Sequence, residues 1–174
     1  MSNAVVIYKS NYGATKQYAE WIAAELDAVL FEASRIKPAQ LMDYDVVIYG
    51  GAIYAGGING VKLVTENPCK KLVVFVVGAS DPETTDFSET INRNFTEDFL
   101  LNTKVFHLRG GIDYDKLGLL HRFMMAAKRM MVKNKNEADL ASDERLVLET
   151  YGRKADFVDR STIAPIIACI SNVE

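Results

Sequence analysis

The chain has 174 residues, 49% hydrophobic and 25% charged, a composition that suits a globular protein with one sizeable core. Its 20 basic and 23 acidic residues leave a formal net charge of -3, too weak to select nucleic acid as a partner or to steer an acidic electron carrier. The two distant cysteines, Cys69 and Cys169, form no Cys-x-x-Cys motif, no apolar run is long enough to span a membrane, and the first strand begins too early for a signal peptide. The expectation is a cytoplasmic protein with reduced thiols, no metal and no nucleic-acid partner.

Ala4-Val5-Val6-Ile7-Tyr8 reads as a first strand, and it runs straight into Ser10-Asn11-Tyr12-Gly13-Ala14-Thr15. A helix follows to Asp27, with Tyr18, Ala19, Trp21, Ile22, Ala23 and Leu26 at helical spacing. A strand delivered into hydroxyls, glycine and a helix N-terminus gathers backbone N–H groups and a positive dipole at one point. That is a site for a phosphate, although the same residues also serve turn geometry and helix capping with nothing bound. The loop lacks the Gly-Lys-Ser/Thr ending of a triphosphatase loop and the three-glycine dinucleotide spacing, so a phosphomonoester fits better than ATP or NAD.

Ala28 to Ala33 reads as a short second strand. Asp45 to Gly51, Lys71 to Gly78 and Lys104 to Arg109 are continuous apolar runs of the kind buried on both faces of a parallel sheet. Helices are expected between them, over Ile58 to Thr65 and Thr84 to Leu101. The alternation predicts a single α/β domain over 1–174, a doubly wound parallel sheet with ligands beyond the strands' carboxyl ends. Small-residue loops close four strands, at Ser10 to Thr15, Gly50 to Gly57, Gly78-Ala79-Ser80 and Gly110-Gly111, which lets backbone approach a flat ligand.

The remainder is an added helical segment over about 115–150. Asp115 to Val132 alternates Leu, Phe and Met with Lys116, His121, Arg122, Lys128 and Arg129, a basic amphipathic helix. Two readings stay open for it: methionines filling gaps in a core, or a surface that accepts an apolar substrate or touches anionic lipid through 116–135. A helix over Asp143 to Tyr151 ends at Gly152, and a last helix is expected from an N-cap at Ser161, with Pro165 in its first turn.

With these pieces placed, the sequence resembles the flavodoxin-fold family, and within it the branch that includes bacterial menaquinone-dependent protoporphyrinogen oxidases. The Ser/Thr-x-x-Gly-x-Thr phosphate pattern is matched at Ser10, Gly13 and Thr15, with an aromatic at Tyr12. Val46 to Gly56, and Leu108 to Tyr114 followed by Arg122-Phe123-Met124, are similar to that branch. The resemblance implies a five-stranded parallel sheet in the order 2-1-3-4-5, a helical insertion after the last strand, and FMN at the switch point between the first and third strands.

It further implies that Ser10, Asn11, Tyr12, Gly13, Ala14 and Thr15 hold the FMN phosphate and that Tyr54 stacks on the isoalloxazine. Ala52, Ile53, Ala55 and Gly56 would surround the reactive N5 edge, Ala79 and Ser80 would line the pyrimidine side, and Gly110 and Gly111 would permit close approach. The flavin would carry the chemistry, so no side chain is assigned as catalytic; of the two histidines, His107 reads as structural and His121 is kept in view as a proton donor. The implied activity is an FMN-dependent oxidoreductase acting on an apolar small molecule such as a quinone or porphyrinogen. The alternative is a flavodoxin-type one-electron carrier docking on a redox partner protein.

Overall fold

The computed structural model describes residues 3–54, 56–115 and 117–171. β1 (Ala4–Lys9) lies between β2 (Val29–Glu32) and β3 (Val46–Tyr54), all parallel. A two-residue strand, β4 (Gly57–Ile58), folds back antiparallel on the end of β3, and the sheet continues through β5 (Leu72–Gly78) to β6 (Lys104–Arg109). The order β2-β1-β3-β5-β6 is the predicted 2-1-3-4-5 of the principal strands.

Side chains alternate across the sheet, so each strand feeds two cores. Val6, Ile48, Val73, Phe75 and Val77 pack against Tyr18, Ala19 and Ile22 of α1 (Ala14–Leu26), and against Ile163, Ile166 and Ile170. Val5, Ile7, Val47, Tyr49, Val74 and Val76 face the other layer, which holds Ile36, Leu41, Ile58, Val61 and Phe95. Burial on both faces is why β1, β3 and β5 read as unbroken apolar runs.

Several expectations are corrected. The helix predicted over Ile58 to Thr65 is only the single turn α2 (Lys62–Thr65). Ile58 is taken by β4, opposite Ile53, and Gly60 sits at φ +69, where a Cβ would also come 2.4 Å from the Tyr49 hydroxyl. The helix predicted over Thr84 to Leu101 is two, α3 (Ser88–Asn94) and α4 (Glu97–Asn102). Phe95 turns extended to bury its ring, and Thr96 starts the second helix by accepting the Phe99 N–H at 3.3 Å.

Beyond β6 the chain forms β7 (Gly111–Asp113), α5 (Leu119–Val132), α6 (Ser142–Thr150), β8 (Lys154–Asp156) and α7 (Ala164–Ser171). β7 and β8 pair as an antiparallel ribbon that the sequence reading did not foresee. Ser161 is not the final cap. Asp159 is, its carboxylate accepting the Ser161 N–H at 2.8 Å to open a 3-10 turn over Arg160–Ile163, after which Pro165 stands in the first turn of α7. Among the described residues no helix is long and apolar enough to cross a membrane.

Candidate functional site

β1 ends at Lys9, and the chain must turn at once into α1. Gly13 makes that turn at φ +105, and its N–H donates to Ser10 Oγ at 3.0 Å. The first intrahelical bond runs from the Gln17 N–H to the Gly13 carbonyl, so the N–H groups of Ala14, Thr15 and Lys16 precede the helical ladder. Ser10 spends a lone pair on Gly13 and retains its hydroxyl proton for a ligand. Lys9, at the entrance of the loop, is paired with Glu32 at 2.9 Å. Ser34, first, and then Lys9 hold the Glu32 carboxyl down at about 2.

Tyr54 ends β3 and is fixed by the β3–β4 hairpin, where it pairs with Gly57. A residue that the sequence reading passed over anchors the hairpin turn: Asn94 of α3 accepts the Ile58 N–H at 3.0 Å and donates to the Gly56 carbonyl at 2.9 Å. Nothing in an isolated Asn among polar neighbours signals this role.

The third wall is built by β5 and β6. The Gly110 N–H donates to the Gly78 carbonyl at 2.6 Å, and a Cβ on Gly110 would stand 2.8 Å from Val77 and 3.4 Å from Ala14. Arg109 braces the loop after β5: Nε donates to the Ala79 carbonyl at 3.3 Å and Nη1 to the Asp81 carboxylate at 3.2 Å, while the guanidinium lies 3.8 Å over the Phe157 ring.

These three walls and α5 enclose a cavity of about 320 Å³ at the carboxyl edge of the sheet. Of the predicted residues, Ser10, Asn11, Tyr12, Ala14 and Thr15 line it, as do Ala52, Ile53, Tyr54, Ala79, Gly110 and Gly111. Gly13, Gly56 and Ser80 are not among the lining residues; Gly13 makes the turn of the first loop and the Gly56 carbonyl is held by Asn94. Ala55 lies outside the described residues.

The sequence reading did not assign Leu117, Met124, Met125 and Lys128 to the site, yet they close it together with His121. His121, Met124, Met125 and Lys128 fall at i, i+3, i+4 and i+7, one face of a helix, which is the signal that would have found them. His121 reaches between two aromatic rings of the opposite walls. Its Nδ1 shares a hydrogen bond with the Tyr12 hydroxyl, and its ring meets Tyr54 edge-on at 4.1 Å between centroids. Burial lowers the His121 pKa, and burial followed by the proximity of Tyr54 raises that of Tyr12. Both are therefore held neutral near pH 7.

The other histidine is remote from this chemistry: His107 stacks on Phe87 at 4.4 Å, and burial lowers its pKa. Among the described residues no group of three or more His, Cys, Asp and Glu is placed to hold a metal ion. What the cavity offers is a donor-rich loop at one end, an aromatic shelf in the middle and apolar walls, a layout for an amphiphilic ligand with an anionic tail.

Comparison with solved structures finds likenesses of low identity. A flavoprotein in complex with FMN from Lactobacillus acidophilus is 14% identical, covering 62% of this chain and 91% of its own, with a TM-score of 0.44. Oxidised flavodoxin 2 from Bacillus cereus is 20% identical over 66% of this chain and 90% of its own, with a TM-score of 0.44. The flavodoxin WrbA-like protein from Agrobacterium tumefaciens is 22% identical over 60% and 76%, with a TM-score of 0.40. No curated protein matches the sequence. Residues 5–139, which run from β1 through α5, match the model of the flavodoxin domain, and the chain is a member of that family.

Proposed function

We propose that the chain binds FMN in this cavity and works as an FMN-dependent oxidoreductase on an apolar small molecule, with a quinone-linked porphyrinogen oxidase as the specific reading. One observation carries the cofactor assignment. The loop of Ser10 to Thr15, with a hydroxyl proton and helix N–H groups to offer, opens into the same cavity as Tyr54. The residues fit FMN on three counts: donors for a phosphate dianion, an aromatic ring for a flat tricycle, and Gly110 and Gly111 in the lining, where no side chain narrows the cavity.

Bound FMN would supply one- and two-electron transfer. The chain's own residues do the rest. Backbone N–H groups and the Ser10 and Thr15 side chains would hold the phosphate, Tyr54 would orient the ring, and Leu117, Met124 and Met125 would exclude water. His121, held through Nδ1 by the Tyr12 hydroxyl, keeps Nε2 for a hydrogen bond that would orient a ligand in the cavity. The apolar wall supports an apolar substrate, because the loop after Gly78, Ala79 to Glu83, offers no second aromatic to cover the ring. The two cysteines, both free, suit a reducing compartment, and we place the protein in the cytoplasm.

The test begins with visible absorption of the purified protein and titration with FMN; a flavin spectrum or saturable binding is expected, and a protein that stays colourless in excess FMN overturns the reading. Anaerobic mixing with a porphyrinogen and menaquinone then addresses the substrate. Porphyrin formation supports the oxidase, whereas a loaded protein that reduces only redox proteins is the carrier.

A further inference from the structure

α5 has a second face that the cavity does not use. Leu119 is 86% exposed, Phe123 71% and Met131 77%, and Leu120, Met124, Ala127 and Met130 are exposed with them. At 3.6 residues per turn these seven positions form one continuous strip along the helix, interrupted by no polar side chain. The opposite face carries His121, Met125, Lys128 and Val132 toward the protein. Arg122, Arg129 and Lys133, all exposed, run along one margin of the strip.

The charge of this segment is as one-sided as its polarity. Six of the 20 basic residues and none of the 23 acidic ones fall within 116–136, so that segment is +6 while the rest of the chain is -9. Arg122 donates to the carbonyls of Tyr114 and Asp115, Arg129 lies 4.4 Å over the Tyr151 ring, and Lys135 is paired with the Glu144 carboxylate at 2.7 Å.

We propose that this face of α5 binds the surface of an anionic lipid bilayer, the apolar strip entering the headgroup and acyl boundary while its basic margin meets lipid phosphates. The helix has 14 residues, about 21 Å at 1.5 Å per residue, so it lies in the interface and does not span it. A continuous apolar strip with a margin of one charge sign complements a bilayer, whereas a protein partner would call for polar groups and carboxylates matched point by point. Met124 belongs to both faces, lining the cavity and standing exposed on the strip, so the wall of the site is also the membrane-facing wall. An apolar substrate dissolved in lipid would then meet the cavity without crossing water. The membrane contact itself does not depend on the cofactor assignment.

The experiment is co-sedimentation of the full chain, with and without FMN, on vesicles of phosphatidylcholine alone and of two-thirds phosphatidylcholine with one-third phosphatidylglycerol. Binding is expected to the anionic vesicles only, and to weaken as salt shortens the Debye length below about 8 Å. Phe123→Ser with Met130→Ser removes apolar surface that touches no part of the cavity, and should weaken partitioning at least about tenfold with FMN binding unchanged. Lys133→Glu should weaken it about fivefold or more. Equal partitioning of wild type and variants, or no anionic preference, overturns the proposal. So does a dimer by analytical ultracentrifugation that the Phe123→Ser, Met130→Ser variant abolishes while vesicles capture nothing, which would give the strip to a second copy of the chain.

Discussion

At Gly13 a single backbone angle decides whether the turn from β1 into α1 can form. A Cβ there meets nothing within 4 Å, so Gly13→Ala isolates the strain of φ +105, a cost of about 1–3 kcal/mol. The expected outcome is a folded protein whose FMN affinity, read by quenching of flavin fluorescence, falls by tenfold or more. Tyr54→Ala should cost about tenfold through lost stacking, with phosphate recognition intact. Glu32 makes a separate prediction in pH. Its carboxyl falls from the ordinary 4.5 to about 2 in the fold, so its contribution to stability is fully present above pH 4.5 and disappears as pH drops toward 2. Denaturant titrations of Glu32→Gln should lose less stability than wild type across that window. The effect is modest, because the partner Lys9 side chain is 43% exposed and water screens the pair.

Among the elements, α1 does more than present its N-terminus. The fully buried Tyr18 donates its hydroxyl to the Arg109 carbonyl at 2.7 Å and accepts the Asp159 N–H at 3.0 Å, tying α1 to the end of β6 and to the entry of α7. Tyr18→Phe removes both hydrogen bonds and should lower unfolding free energy by about 1 kcal/mol in chemical denaturation. The elements also show what could be read from the chain. The apolar runs of β1, β3 and β5 declared themselves because both of their faces are covered, and the turn at Ser10 to Thr15 because a strand that runs straight into a helix uses glycine and hydroxyls there. Ile58 did not, because an apolar residue after a glycine reads equally as helix or strand until the hairpin with Ile53 is formed. The β7–β8 ribbon joins Gly111–Asp113 to Lys154–Asp156 across some 40 residues, a pairing that no local pattern encodes. The inward face of α5 was visible as spacing, but which face turns inward depends on packing.

The whole molecule is polarised. The carboxyl edge of the sheet gathers four loops into one cavity, α5 roofs it, and the basic charge of 116–136 stands against an acidic remainder. A ligand that bridges β1, β3 and β6 should stabilise the entire fold. FMN at a hundred times its dissociation constant adds about 2.7 kcal/mol, which for a chain of this size should raise the melting temperature by roughly 5–10 °C. The central claim is that a phosphate, and not merely a flat ring, is what the opening loop grips. Comparing FMN with riboflavin under identical conditions tests it most directly. Several charge-assisted hydrogen bonds to the phosphate predict that FMN binds about a hundredfold or more tighter, a gap that Ser10→Ala together with Thr15→Ala should narrow. Equal affinities for the two flavins, or a gap that survives both substitutions, would contradict the account.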